Sequence, residues 1–559
     1  IRDRAFSEAA GSAISNSSAM SDAGATGIAG GEGDDTIDNW AAISADVGSR
    51  AEAISASASL AVSMQGGSAS AASLADASAT GLAAATGING GEGVDGIVNN
   101  ADITMKSRSE AEAEAISVAF SVAPGGVSAT SAMADSSSSA VSESTGIQGE
   151  GGADDLDNGT KLGDSEIDPS LLKITTDSQA TATASSITVS GSASVGLSDG
   201  ASVADSSASS EASSTGIEVG LGNDTIDNAI EIEATSLADA TANSTNVAVG
   251  LSVGASGSAS LGDSSATARA NATGIAGGAD DDRITNTAII TAGTTSDNPD
   301  AMALAQADST TVDVGIAVGY SNREASANAS AFAEANAAGI SGGSGNDWID
   351  NSGAITVGPD PLGSGGMAAA SGSSDAVSVT LGLGQSLGKS SSNTSSTAVA
   401  NLAGISGGTG NDDVYNSGVI TVGRDFSDSV EPEEAMATAH AASETVSVTI
   451  AFGDSLSDAS SNASSTAKSS SIGIETGAGE DWIENKNTGV IRAFSSSEAV
   501  GFAKTTSVSL TVGASDGKAE SNASSLSTSL ATGIDSGDDA DEIITDSDVL
   551  VKSHAMSTT

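Results

Sequence analysis

One run of thirteen residues returns nine times along the 559-residue chain, and a chain patterned in this way folds as a stack of copies rather than as three or four separate globules. The run reads Gly-Ile-x-x-Gly-x-Gly-x-Asp-x-Ile-x-Asn and is clearest at 27–39, GIAGGEGDDTIDN. Its copies occupy 27–39, 87–99, 146–158, 216–228, 274–286, 339–351, 404–416, 473–485 and 533–545, a mean period near 63 residues. Seven places after each isoleucine stands an aspartate: Asp35, Asp95, Asp154, Asp224, Asp282, Asp347, Asp412, Asp481 and Asp541. Two places further on is an aliphatic residue. Two beyond that is Asn in eight copies, with Thr545 as the exception.

Between these runs lie segments in which small apolar residues alternate with polar ones, the period-2 pattern of a half-buried strand. Residues 50–64, RAEAISASASLAVSM, are an example. β-Branched residues concentrate midway, as in TVDVGIAVG at 311–319 and VSVTIAFG at 446–453, each followed by Gly/Ser/Asp turn material. Alanine favours helix, but dense Ser, Thr and Gly, and no 3.6-residue stripe of large apolar residues, favour strand. Each repeat therefore reads as an ascending leg, a tip, a descending leg and an acidic corner. Pro124 falls in a tip, and Pro169, Pro299, Pro359, Pro361 and Pro432 follow the corner, together with the longest insertion, at 159–172, which marks that side as surface loop.

The expected fold is all-β: one continuous parallel β-solenoid over residues 1–559. Two geometries fit a 63-residue period, a single wide, flat coil or three rungs of about 21 residues. Electrostatics favours the wide coil. One coil per repeat stacks the aspartates ~4.8 Å apart, where like charges repel by ~3–4 kcal/mol at an effective dielectric near 20, so the column calls for a cation. Three rungs would separate them by ~14 Å, beyond the screening length. Legs of about 16–20 residues exceed ordinary strands, so bends are expected within them.

Twelve aromatic residues and an apolar content that is mostly alanine leave little for a thick core, so cohesion must come from backbone ladders and close sheet approach. The net charge of −55 argues against nucleic acid and anionic lipid as partners and points to divalent cations. There is no cysteine, hence no disulfide or thiolate metal site, and no apolar stretch long enough to span a membrane. The chain opens Ile-Arg-Asp-Arg without Met or leader and stops at SHAMSTT where another leg would begin, which reads as a processed product or a segment of something longer.

GGEGDDTID (30–38), GGEGVDGIV (90–98), GGSGNDWID (342–350) and GGTGNDDVY (407–415) fit G-G-x-G-x-D-x-U-x and resemble the calcium-binding nonapeptide of RTX, or haemolysin-type, secreted proteins. The resemblance implies Ca²⁺ held by the nine aspartates with the turn glycines Gly31, Gly33, Gly91, Gly93, Gly343, Gly345, Gly408 and Gly410, and a large aliphatic pointing to the core. Carbonyl and carboxylate oxygens suit that ion. The family's motifs run in tandem. Here each stands alone, so a partner loop must come from the next coil. Five copies depart from the pattern, with Glu150, Asp280 and Asp539 in place of glycine, which either adds ligands or spoils the turn. The alternative is that these loops are tight turns whose Asp and Asn cap backbone groups.

The Asn after the aliphatic reads as a buried amide ladder. NSGAITV (351–357) and NSGVITV (416–422) resemble the rung turns of large bacterial surface adhesins and autotransporter passengers, which implies a secreted or surface-displayed solenoid. His440 and His554 are the only histidines, in polar surroundings, and carboxylate pairs are too abundant to single any out, so no enzyme is expected. Trp40, Trp348 and Trp482 lie at the corners, to pack on the next coil or to cover a sugar. Asn-x-Ser/Thr sequons occur at Asn243, Asn271, Asn328, Asn393, Asn462 and Asn522. The functional expectation is an extracellular structural protein, the calcium-stiffened shaft of a filament or matrix fibre assembling head to tail with copies of itself. The alternative is a non-polymerising adhesin stalk that binds glycans or the cell surface.

Overall fold

The computed structural model describes residues 8–64, 67–159, 169–293, 302–359, 367–425, 435–486 and 488–559; Pro299, Pro361 and Pro432 fall outside them, and so does most of the 159–172 insertion. The wide coil is the geometry adopted. Every repeat contributes one strand to each of three all-parallel sheets, and each strand pairs with its equivalent one repeat away. A long face of nine strands begins with Glu8–Glu32 and Ser68–Glu92, a corner face of nine begins with Thr36–Asn39 and Gly96–Asn99, and a return face begins with Ile43–Val62 and Ile103–Ala123. The return face has twelve strands in all because in three coils its leg is split, as in Ile290–Gly293 and Ala303–Ala317.

The legs are longer than expected, 25 residues in Glu8–Glu32 and 21 in Ile103–Ala123, and they bend where the sequence dictates. The glycine opening each motif is the bend. Gly27 and Gly87 go unpaired together between Thr26↔Thr86 and Ile28↔Ile88, so both strands bend there toward the corner without a change of register. Glycine holds that place in all nine coils because the site admits no side chain. A Cβ on Gly216 would lie 2.3 Å from Ile232 Cγ2 and 2.5 Å from the Gly274 carbonyl.

Beyond the bend the section is triangular, and three isoleucine columns fill it, one from each face. Ile88, Ile97 and Ile103 are wholly buried, and so are Ile340, Ile349 and Ile355. Away from the corner the long and return faces close on each other and the interior thins to alanine, as at Ala111, Ala113 and Ala115. Near the tip it becomes serine and threonine, joined across the gap by hydroxyl bonds such as Ser121–Ser128 (2.5 Å) and Ser192–Ser198 (2.6 Å). Small side chains permit this close approach, and the hydroxyls pair because a buried polar group without a partner costs free energy. The tips are short arcs from the return strand of one coil to the long strand of the next.

At about 4.8 Å per coil the nine coils stack to roughly 40 Å, while a 21-residue leg spans ~70 Å. The molecule is therefore a slab wider than it is tall, because so much chain is spent on each step along the axis.

Candidate metal-binding corner

The stacking brings all nine motif aspartates into one column at the turn between the long and corner faces. The seven from Asp95 to Asp481 are buried, and Asp35 and Asp541 at the two ends are partly open. Each main-chain amide donates to Oδ1 of the equivalent aspartate one coil on: Asp35 to Asp95, Asp95 to Asp154, and so on to Asp481 and Asp541, at 2.7–3.1 Å. One oxygen of each carboxylate is thus a backbone cap between coils, as in the turn-capping alternative.

The other oxygen is not. Oδ2 of Asp35, Asp95, Asp154, Asp224, Asp282, Asp347, Asp412 and Asp481 is buried with no hydrogen-bond partner. It faces the bare Cα of a motif glycine. A Cβ on Gly342 would lie 2.5 Å from Asp347 Oδ2 and 2.6 Å from the Gly407 carbonyl, and one on Gly277 2.6 Å from Asp282 Oδ2 and 2.5 Å from the Gly342 carbonyl. The absent side chain leaves a cradle walled by a carboxylate oxygen of one coil and a carbonyl of the next. In the coil of Asp224 that place belongs to Val219, itself wholly buried, and in the coil of Asp481 to Thr476.

Burial and neighbouring carboxylates push five of the inner carboxyls, Asp154, Asp224, Asp282, Asp347 and Asp412, up from their ordinary value of 3.8. Loss of water is the larger cause throughout, and the amide hydrogen bond opposes it. Asp282 rises to about 8, Asp412 to about 7, and Asp154 and Asp347 to about 6. A column held in this way needs positive charge, as protons or as a cation.

The donor set suits a hard cation, being oxygen only. Among the described residues no group of three or more acidic, His or Cys side chains converges on one point, so a cation would take one carboxylate per coil and draw its remaining ligands from main-chain carbonyls.

The turn glycines serve the stacking. Gly31, Gly33, Gly91, Gly93, Gly343, Gly345, Gly408 and Gly410 have φ between +103° and +145°, and the loops nest so closely that a Cβ on Gly91 would lie 1.8 Å from the Gly31 carbonyl. Glu150, Asp280 and Asp539 do not spoil the turn. They take the same left-handed conformation, at φ 81°, 77° and 89°. Glu150 projects outward, where its Oε1 accepts from Asn89 Nδ2 at 2.7 Å.

The Asn ladder forms at the second turn, between the corner and return faces. Nδ2 donates to the next Oδ1 from Asn39 through Asn99, Asn158, Asn228, Asn286, Asn351 and Asn416 to Asn485 at 2.6–2.9 Å, and Asn485 turns to Ser547 at 2.7 Å. Most of the sequons have a similar origin. Asn328, Asn393, Asn462 and Asn522 share one outward column with Asp76, Asp135, Asp205 and Asp263, the next outward position is serine in all nine coils, and the four amides bond one another at 2.8–3.0 Å.

Trp348 packs, with the Arg283 guanidinium 3.8 Å over its ring and Tyr415 at 5.8 Å, while Trp40 is 52% exposed. His440 is exposed on the return face. No helix among the described residues is long and apolar enough to cross a membrane. No family model, curated protein or solved structure matches this chain.

Proposed function

We propose that this protein is an extracellular structural solenoid, a building block of a filament or matrix fibre, whose acidic corner takes up Ca²⁺ along the stack. The observation that carries the reading is the column of eight buried, unpartnered Oδ2 atoms, one in each of the first eight coils in fixed register. Bound there, Ca²⁺ would neutralise a line of carboxylates that otherwise repel one another. Asp282, Asp347 and Asp412, beside Gly277, Gly342 and Gly407, are the residues that would hold it, as are Asp35, Asp95 and Asp154 beside Gly30, Gly90 and Gly149. The Oδ1 caps keep these side chains oriented with or without the ion. The outermost strands of the long face, Glu8–Glu32 and Ser515–Asp535, each pair on one side only, so further coils, from the same chain or another copy, can add by the same register.

Electron microscopy of the purified protein with and without Ca²⁺, paired with calorimetric titration, tests the proposal. Stacks many coils long and several Ca²⁺ per chain are expected, with fewer Ca²⁺ in the Asp347→Ala/Asp412→Ala variant. Absence of binding heat together with an unchanged melting temperature would remove the cation from the reading, and single slabs at every Ca²⁺ concentration would remove the fibre.

A second reading, a stalk that engages glycans, draws on one feature. The bend in the long face leaves an outer groove of about 530 Å³ lined by Asn271, Asn336 and Asn401, whose laddered amides offer donors and acceptors at each coil.

A further inference from the structure

Near the tip the return face is inverted. Its inward positions are small and polar, as at Thr311, Asp313 and Gly315, while its outward positions, Val312, Val314 and Ile316, are large and aliphatic. Register extends this through the stack: Val312 pairs with Val377 and then Val446, Val314 with Val379 and then Val448, and Ile316 with Leu381 and then Ile450. The same three columns run from Leu60 and Val62 in the first coil to Val508 and Leu510 in the eighth. Three columns in eight return strands make 24 positions, of which 20 hold Val, Leu, Ile or Phe and none holds a charge. These side chains are open to solvent: Leu60 is 67% exposed, Ile316 43%, Leu381 40% and Leu510 62%. A contiguous apolar patch of more than a few hundred Å² marks an interaction surface.

We propose that this stripe is the interface through which two copies of the chain pack laterally, return face against return face. Three observations favour a second copy as the occupant. A standard interface uses 20–30 residues a side, and the stripe supplies that number without help from its margins. A second copy carries the same coil spacing of about 4.8 Å, so the ridges of one stripe seat between those of the other over the full height of the slab. Charge also agrees. In a chain of net charge −55 these columns are uncharged and the acidic turns stand at the opposite end of the flattened coil, so two copies meet where their repulsion is least. Asp308, Asp375 and Glu444, two to four residues before the stripe on outward positions of the same strands, would have to be pressed against lipid headgroups if a membrane were the occupant instead.

The full chain is examined by sedimentation velocity. The wild type should sediment as a dimer or a multiple of one. Val314→Lys/Val379→Lys should be monomeric with an unchanged far-ultraviolet spectrum, and Ser326→Lys/Ser391→Lys, on the outside of the long face, should remain associated. Because the chain has no cysteine, Val379→Cys gives a second readout that does not disturb packing. Under mild oxidation it should form intermolecular disulfides, and Ser391→Cys should not. A monomeric wild type, association unaffected by Val314→Lys/Val379→Lys, or equal cross-linking of the two cysteine variants would overturn the proposal. So would a monomer that floats with phosphatidylcholine vesicles, which would assign the stripe to a lipid surface.

Discussion

Arg323 and Asp313 face each other across the interior near the tip, Nε to Oδ1 at 3.8 Å, both wholly buried. Their coil is an exception. In the neighbouring coils the place of Arg323 is held by Ser258 and Gly388, and that of Asp313 by Ala248 and Ser378. The guanidinium fits because Gly250 and Gly315 have no side chain; a Cβ on either would fall within 2.5 Å of it. The Gly250 carbonyl accepts from Nη2 at 3.1 Å, yet Nε, Nη1 and Asp313 Oδ2 have no hydrogen-bond partner. Burial acts on both partners more strongly than their attraction does, pushing Asp313 up to about 6 and the guanidinium down.

The first prediction follows from that imbalance. Removing one partner, as in Arg323→Gly or Asp313→Ser, leaves a buried unpaired charge and should cost about 3–5 kcal/mol. The double variant Asp313→Ser/Arg323→Gly restores the residues of the adjacent coil and should be as stable as the wild type or more so. Melting temperatures of the three variants decide it. A double variant as unstable as the single ones would mean that the pair contributes more than its desolvation costs.

How much of this was legible in the sequence depended on whether a feature repeats. The Ile, Asp and Asn of each motif share a spacing, so their alignment follows from the period, while the single wide coil follows from the repulsion of stacked aspartates, since three rungs fit the same period. The bend at Gly27 was foreseen only as a bend somewhere in a long leg. Its signal is a glycine in all nine copies at the same place, directly before the isoleucine of the motif. Arg323 occurs once, so periodicity is silent about it. The alternation around it does place it inward, and a charge at an inward position was the available clue. The apolar stripe shows in the sequence only as β-branched clusters, because pattern alone says that two faces differ and not which one is buried. Here the interior near the tip is too thin for valine, and the large side chains lie outside.

The second prediction concerns pH. Asp282 at about 8, Asp412 at about 7, and Asp154 and Asp347 at about 6 keep protons in the folded chain that an unfolded chain, with carboxylates near 3.8, has released. Their contribution is complete below about pH 4, where both states are protonated, and is lost as pH rises through the folded values toward 8. In chelator, the melting temperature should therefore fall from pH 4 to pH 8. Asp282→Asn keeps the Oδ1 acceptor for the Asp224 amide and removes the charge, so it should flatten the decline, chiefly between pH 6 and 8. A melting temperature that climbs through this window, or an Asp282→Asn profile parallel to the wild type, would contradict the description of the column.

The third prediction separates two amide ladders of similar appearance. Asn416 is buried. It donates to Asn485 Oδ1 at 2.8 Å and to the Gly418 carbonyl at 3.1 Å, and accepts from Asn351 at 2.8 Å. Asn416→Ala strands the Oδ1 of Asn485 inside the protein and should cost about 1–3 kcal/mol for each group left unpaired. Asn393 makes the same kind of bond to Asn328 at 3.0 Å but in water, so Asn393→Ala should change stability by less than about 0.5 kcal/mol. Urea denaturation of the two variants measures the difference, and equal losses would show that burial is not what makes the inner ladder matter.

The fourth prediction ranks two glycines of one motif against the order that a metal-loop reading gives. Gly408 stands in the turn at φ +114°, and Gly404 opens the motif at the bend. If the turn were the critical element, Gly408→Ala would be the more damaging. The stacking argues otherwise. A Cβ on Gly408 as it stands would lie 1.8 Å from the Gly343 carbonyl, closer than at Gly404, but Glu150 occupies the same column with a full side chain by settling at φ 81°, so this turn can shift to admit one and Gly408→Ala should cost about 1–2 kcal/mol. The column of Gly404 holds glycine in all nine coils, and a Cβ there would lie 2.4 Å from the Gly473 carbonyl and 2.4 Å from Ile420 Cγ2. Trimming the isoleucine frees only one side, since the carbonyl belongs to the backbone of the next coil and is fixed by its own ladder. Gly404→Ala should therefore cost about 3 kcal/mol or more, as overpacking against immovable backbone does, and Ile420→Ala should not rescue it. Thermal unfolding of Gly404→Ala, Gly408→Ala and Gly404→Ala/Ile420→Ala orders the three. If Gly408→Ala proved the worst, the turn rather than the bend would be what the stack cannot do without.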